Sequence, residues 1–296
     1  MKILILYQTK LQSMRHIFTL LLFGIIITSC KNIDTLKEQI QKITIKNTKE
    51  TPAQEVTTDE EHIVYEKFKS GKVKSIIEAK GKLRHGVTKN YDQVGNLVST
   101  LTYKDNQLDG LATNYYKNGA VHSTIEYKNN QKNGQEIWYY ENGKKYRVNH
   151  FLNGKLNGVQ QKFYNNGRLM SEVPYKNNQP GKGTKEYSED GKLIAMTAKI
   201  AVNEIDQVPM TGKLILQLYL TNRSGNVEFY VDDLDEGKYL PEYTYSLPVE
   251  NGIAIKDYYI PRGTALMKKI TIIAKYTSKM RNPYIITRSY NVAAKN

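Results

Sequence analysis

Ten glycines fall into two interleaved series that share one interval of 24 residues: Gly71, Gly95, Gly119, Gly143, Gly167 and Gly191, and Gly86, Gly110, Gly134 and Gly158. An interval held this long commits the chain to a repeat architecture, in which each unit stabilises mainly its neighbours. The first series follows Asn118, Asn142, Asn166 and Asp190. Asn-Gly and Asp-Gly are strong hairpin signals, because glycine enters positive φ almost freely where an ordinary residue loses roughly 1–2 kcal/mol. The second series, mostly preceded by Asn or Asp, is expected to close the opposite end of each unit. Two turns per period leave two strands of about eight residues.

Aromatic residues keep the same count. Tyr91, Tyr115, Tyr139, Phe163 and Tyr187 mark the first strand of successive units, and Tyr103, Tyr127, Phe151 and Tyr175 the second. Between them, Leu97, Leu101 and Tyr103, then Val121, Ile125 and Tyr127, alternate with more polar neighbours. A period of two means β-strand. The expected fold is therefore all-β: an extended antiparallel sheet of 24-residue hairpins over residues 62–200. Equivalent rings should line up across strands, each pair contributing about 0.2–1 kcal/mol.

The segments "YYKNGAVHSTIEYKNNQKNG" and "FYNNGRLMSEVPYKNNQPGKG" resemble the MORN-repeat variant found in bacterial proteins of the YwqK antitoxin-like family. The likeness extends over about residues 63–199. Eukaryotic MORN repeats differ in carrying Gly-x-Gly and a Tyr-x-Gly-x-Trp core, so the lipid-binding roles proposed for them do not transfer. The resemblance implies binding, with an antitoxin or immunity-type protein that neutralises a partner toxin as one reading.

One unit departs from the pattern. Where other repeats place Leu or Val, Ser, and an aliphatic residue, this unit has Lys145, Arg147 and Asn149, with Tyr146, Val148 and His150 in the opposite phase. Either a bulge flips the register and turns Tyr146 and Val148 inward, or a functional patch displaces the apolar face. Trp138, the single tryptophan, and Tyr140 lie close by. Trp, Tyr and Arg dominate interface hot spots, so Trp138, Tyr140, Lys145, Tyr146, Arg147 and His150 form the candidate site for a protein or glycan partner.

The N-terminus carries its own signal. Basic residues precede an uncharged stretch from Ile17 to Ile27, about half the roughly 20 residues that span a bilayer, as in a secretory signal starting at Met1 or Met14. Ile27, Thr28, Ser29 and Cys30 resemble the lipobox of bacterial lipoproteins, and Cys30 is the one cysteine in the chain. That resemblance implies removal of residues 1–29 and acylation of Cys30, which would anchor the protein in a membrane. Lys31 follows, with no Asp there to suggest inner-membrane retention, so an outer-membrane or surface-facing envelope location is expected. Residues 30–61 have no aromatic residue and read as a flexible tether, although Ile33, Leu36, Ile40 and Ile43 permit one amphipathic helix.

After Ile200 the period stops. Leu214, Leu216, Leu218 and Leu220 share a face, as do Val227, Phe229 and Val231, and Ile270, Ile272, Ala274 and Tyr276. Strands also fit 253–260 and 284–293, so residues 201–296 are expected to form a small sandwich, with an immunoglobulin-like arrangement open. The run Asp232, Asp233, Asp235 and Glu236 lacks EF-hand spacing and reads as a solvated acidic turn rather than a metal site.

The net charge of +14 could serve a polyanion, but the lysines are scattered through turns and strand flanks, and no nucleic-acid partner is expected. There is no Walker loop, dinucleotide fingerprint or Gly-x-Ser-x-Gly elbow, and His62, His85, His122 and His150 show no paired spacing. No cofactor is implied. These features point to a binding or scaffold protein of the cell envelope. An envelope enzyme acting on glycans stays as a third reading without a nominated catalytic pair.

Overall fold

The computed structural model describes residues 60–222 and 226–296, and these are almost wholly β. The repeat region forms one antiparallel sheet of thirteen strands. They are β1 (Glu61–Lys67), β2 (Val73–Lys80), β3 (Leu83–Tyr91), β4 (Leu97–Lys104), β5 (Gln107–Tyr115), β6 (Val121–Lys128), β7 (Gln131–Tyr139), β8 (Lys145–Leu152), β9 (Lys155–Leu156), β10 (Gly158–Phe163), β11 (Leu169–Lys176), β12 (Gln179–Pro180) and β13 (Lys185–Glu186). From β1 to β8 spatial order is chain order, so these strands pair with their sequence neighbours; β10 and β11 continue the sheet beyond β8, with the short β9 also on β8 and β13 on β11.

The first glycine series closes six equivalent turns. Gly95 N–H donates to the Asp92 carbonyl and Asp92 N–H to the Asn96 carbonyl, and the same pair recurs at residues 68–72, 116–120, 140–144, 164–168 and 188–192 with lengths of 2.8–3.1 Å. Only the glycine has positive φ, +83° at Gly119; Asn118 does not, and its Oδ1 instead accepts from Ala120 N–H at 3.0 Å. The turn is thus one finished by a left-handed glycine, and each strand pair slips by one residue beside it, as between Asn114 and Tyr115.

The second glycine series does not close the other end. That role belongs to the pairs Asp105-Asn106, Asn129-Asn130, Asn153-Gly154 and Asn177-Asn178, in which both residues have positive φ. Gly86, Gly110, Gly134 and Gly158 lie inside or at the start of strands, opposite Tyr103, Tyr127, Phe151 and Tyr175. The requirement there is space. A Cβ on Gly134 would stand 1.8 Å from Glu126 Oε2, and one on Gly158 would stand 3.1 Å from His150 Cβ. The side chain filling that space also binds the next backbone group: Gln135 N–H donates to Glu126 at 3.1 Å, and Val87 N–H to Glu78 at 2.6 Å.

This arrangement also corrects the expected ring pairing. Each second-strand ring lies across from a glycine, and its equivalent in the next unit is two strands away, about 9–10 Å. Units are tied by other residues. Tyr116, Tyr140 and Tyr164 hydroxyls donate to the carbonyls of Tyr139, Phe163 and Tyr187 at 2.6–2.8 Å. At the opposite end Asn106, Asn130 and Asn178 Oδ1 accept from the N–H of Arg84, Leu108 and Leu156, each at 2.7 Å.

The C-terminal region is a two-layer sandwich. Its strands are β14 (Ile200–Gln207), β15 (Lys213–Leu220), β16 (Val227–Val231), β17 (Val249–Glu250), β18 (Ile253–Tyr259), β19 (Ala265–Thr277) and β20 (Pro283–Lys295), with one short helix, α1 (Val208–Thr211), between the first two. The sheets run β14-β15-β18-β17 and β16-β19-β20, the strand order of a constant-type immunoglobulin sandwich. Leu214, Leu216, Leu218 and Leu220 face Phe229, Ile270, Ile272 and Ala274 across the interior, none more than 4% exposed.

The four residues of the acidic run are exposed, as a solvated turn requires, and the segment also reaches the repeat sheet. It leads into Lys238 and Leu240, which bond to the end of the repeat sheet: Lys182 N–H donates to the Lys238 carbonyl at 2.8 Å and Leu240 N–H to the Pro180 carbonyl at 3.3 Å, and Glu236 pairs with Lys176. The β19–β20 turn supplies the second tie. Thr184 Oγ1 donates to the Pro283 carbonyl at 2.7 Å, and Asn282, wholly buried, donates to Glu186 Oε1 at 2.6 Å.

Candidate functional site

A line of mutually opposed residues crosses the sheet: Ser75, Asn90, Ser99, Asn114, Ser123, Trp138, Arg147, Lys162, Ser171 and Glu186. In its first half the line is satisfied internally. Asn90 Nδ2 donates to Ser99 Oγ and Asn114 Nδ2 to Ser123 Oγ, each at 3.0 Å. Small alternating polar groups of this kind leave nothing to offer a partner.

Trp138 ends that pattern in place. It pairs with Arg147 as Asn114 pairs with Ser123, and Glu136 pairs with Asn149 as Ala112 pairs with Ile125, so the register is unchanged. The flipped-register expectation is overturned: the slip beside Tyr139 is the one every unit has, and Tyr146 is 37% exposed. Val148 is buried, opposite Ile137.

Four of the six residues singled out in the sequence are joined. The slip leaves Tyr146 as the extra, unpaired residue between Lys145 and Arg147. The Arg147 guanidinium carbon lies 5.4 Å from the Trp138 ring centre and 5.9 Å from that of Tyr146, which meets Tyr140 edge-on at 5.2 Å. Burial raises the Tyr140 hydroxyl pKa, and its proton is held by the Phe163 carbonyl. Lys145 is exposed at the start of β8.

His150 stands apart. Its Nδ1 lies 3.1 Å from the Val159 carbonyl, and its ring fills the space over Gly158 as Glu126 does over Gly134. That is the structural duty of its column, and His150 leaves the site.

Two members were missed. The His122 ring meets Trp138 edge-on at 5.0 Å, and Tyr116 packs on His122 at 4.5 Å. The available signal was the 24-residue column itself: His122 is the counterpart of Tyr146, and Tyr116 of Tyr140. Each added aromatic contact contributes about 0.5–1.5 kcal/mol beyond burial.

Beside Trp138 and Arg147, on the same face, lies a largely buried polar chain. Lys132 Nζ and Asn149 Nδ2 each lie 2.5 Å from a Glu136 carboxylate oxygen, and Gln160 Nε2 donates to Asn149 Oδ1 at 2.8 Å. Burial alone would raise the Glu136 pKa. Hydrogen bonds from Lys132 and Asn149 outweigh it, with a weaker pull from the Trp138 indole beyond hydrogen-bond geometry, and hold the carboxyl below its ordinary range. On the other side of Arg147, burial and then the guanidinium charge depress the Lys162 pKa, and Lys162 Nζ donates to Asn282 Oδ1 at 2.8 Å. The aromatic cluster is thus flanked by polar ties on its own face and connected to the sandwich.

Arg147 Nε is buried without a partner among the described residues. The site therefore presents ring faces and edges and a cation spread over two rings, while Arg147 Nε and Trp138 Nε1 are buried beneath that surface. Such a surface can stack on a planar or sugar-like face and attract a carbonyl or carboxylate. Among the described residues no group of three His, Cys, Asp or Glu side chains is placed to hold a metal. Cys30, with the signal and the tether, lies outside the described residues.

Four segments of the chain, residues 84–105, 108–129, 132–153 and 156–177, match the family model described as MORN repeat variant. Each spans one strand, its glycine turn and the following strand. MORN repeats are in general repeat motifs that bind proteins or membranes, which fits a non-enzymatic module. No curated protein matches the chain.

Proposed function

We propose that this protein is a binding or scaffold component of the cell envelope, exported and held by acyl chains on Cys30, which engages a protein or glycan partner with the face of its repeat sheet around Trp138. One observation carries the binding reading. Across β7 and β8 the self-satisfied Ser and Asn row of the preceding strands gives way to Trp138 and Arg147, whose guanidinium lies over the Trp138 and Tyr146 rings, while Lys162 and Glu186 further along are taken up by the joint with Asn282. A repeat maintained only for stability would continue the Ser and Asn pattern of the strands before it.

The test is capture from envelope extract by the full chain beside W138A and R147A. Loss of a discrete protein or glycan in both variants, with unchanged circular dichroism and melting, supports the site; identical capture by all three rejects it. Labelled fatty acid should enter the wild-type chain and not Cys30→Ser. Equal labelling of both would remove the anchor while leaving the binding surface standing.

A further inference from the structure

The two ends of the repeat sheet are unlike. Its C-terminal end is covered by the β19–β20 turn and Asn282. Among the described residues nothing pairs with the outer edge of β1. Repeat arrays expose hydrophobic surface wherever an end is uncapped, and Ile63, Val64 and Tyr65 at this edge are 56%, 39% and 57% exposed. Natural edges are usually guarded by Pro, inward-pointing charges or central bulges. The middle of β1 has none of these.

Backbone direction can be worked out. Glu60 carbonyl accepts from Gly81 N–H at 3.2 Å, and Phe68 N–H donates to the Lys72 carbonyl at 2.9 Å, so even-numbered residues of β1 point their backbone groups at β2. The register slip in this pair falls on β2, where Lys74 is the extra residue, so alternation along β1 is unbroken. Glu61, Ile63, Tyr65 and Lys67 therefore turn their N–H and C=O groups outward.

We propose that this edge pairs antiparallel with β1 of a second copy of the chain, about a two-fold axis at Val64. The sequence of β1, EHIVYEK, is complementary to itself in that register. Glu61 opposes Lys67, His62 opposes Glu66, Ile63 opposes Tyr65, and Val64 meets its own copy. The outward groups of Ile63 and Tyr65 form mutual hydrogen-bonded pairs on both sides of the axis, and Val64 occupies the closely spaced position between them. A slip of two residues either way removes the Glu61–Lys67 pairs. Val64 pairs with buried Ile77 within one chain, so a second Val64 extends that apolar row across the axis. A single strand pair is a small interface, so association depends on concentration.

Sedimentation velocity of the full chain from about 1 µM to about 1 mM tests this directly. The dimer fraction should rise across the range in the wild type, and V64K, with two cations on the axis, should stay monomeric. K67E should weaken the dimer about tenfold, because both ionic pairs become repulsive, and E61K/K67E should restore it. Four results would overturn the proposal: a wild type monomeric throughout, a V64K dimer, no rescue by the charge exchange, or Ile63 and Tyr65 amides already protected from exchange in the monomer. The last would mean that another segment of this chain covers the edge. All substitutions are at exposed or half-buried edge positions, and circular dichroism confirms folding of each.

Discussion

The repeat sheet and the sandwich are both antiparallel β, yet they are held together by different means. In the sandwich, leucines from β15 meet Phe229 and the isoleucines of β19 across a shared interior, and contacts join residues far apart in sequence. Among the described residues no second layer supplies such an interior to the repeat sheet. Its strands are secured by neighbours one and two strands away through tyrosine hydroxyls, asparagine side chains and glycine-sized gaps. The lesson is that a long ladder of local ties can hold a sheet together while leaving side chains on display, whereas a common core must hide them. The displaying half is also where Trp138 and Arg147 lie.

The largest expected effect tests whether the halves unfold separately. Leu216→Ala removes a wholly buried side chain and should destabilise the sandwich by about 2–5 kcal/mol. Hydrogen exchange should then quicken in β15, β18 and β19 while β3 to β6 keep their protection. Simultaneous loss everywhere would mean one cooperative body. Asn282→Ala attacks the joint itself, leaving Lys162 and Glu186 without the amide that both contact. A loss of about 2–4 kcal/mol is expected, with the calorimetric transitions of the two halves moving further apart.

Glycine substitutions distinguish the two series. Gly134→Ala should cost about 1–3 kcal/mol because both φ and space oppose it, against about 1 kcal/mol for Gly119→Ala, where only φ does. Equal losses in urea titrations would remove the close-packing role assigned to the second series. Tyr140→Phe should cost about 1 kcal/mol through one lost hydroxyl bond to the next unit.

The smallest effect concerns acid. The folded pKa of Glu136 is depressed, so its contribution is present above the ordinary value of 4.5 and is lost as pH falls through the folded value. Glu136→Gln should flatten that part of the pH–stability curve. A slope unchanged between the two proteins would show that Glu136 titrates alike in both states.

Legibility differed between the regions for a physical reason. Turn glycines and period-two alternation are constraints that residues satisfy with near neighbours, so the 24-residue rhythm was sufficient for the sheet, its hairpins and the place where Trp138 and Arg147 break ranks. The sandwich strands could be marked from their alternating leucines and isoleucines, but which strand lies beside which depends on distant partners.

The same division runs through the site. Sequence alone placed Trp138, Tyr140, Tyr146 and Arg147 in one unit, because a fixed column makes any departure visible. Only the three-dimensional arrangement showed that His150 serves the gap over Gly158, that His122 and Tyr116 extend the ring cluster, and that Gly86 and its equivalents lie within strands, under a neighbouring side chain, rather than in turns. Those facts depend on which side chain approaches which across strands, a relation that recurrence announces but cannot orient. The join through Lys162, Asn282 and Glu186 lay further out of reach, since its members are about a hundred residues apart and meet only once both halves have folded.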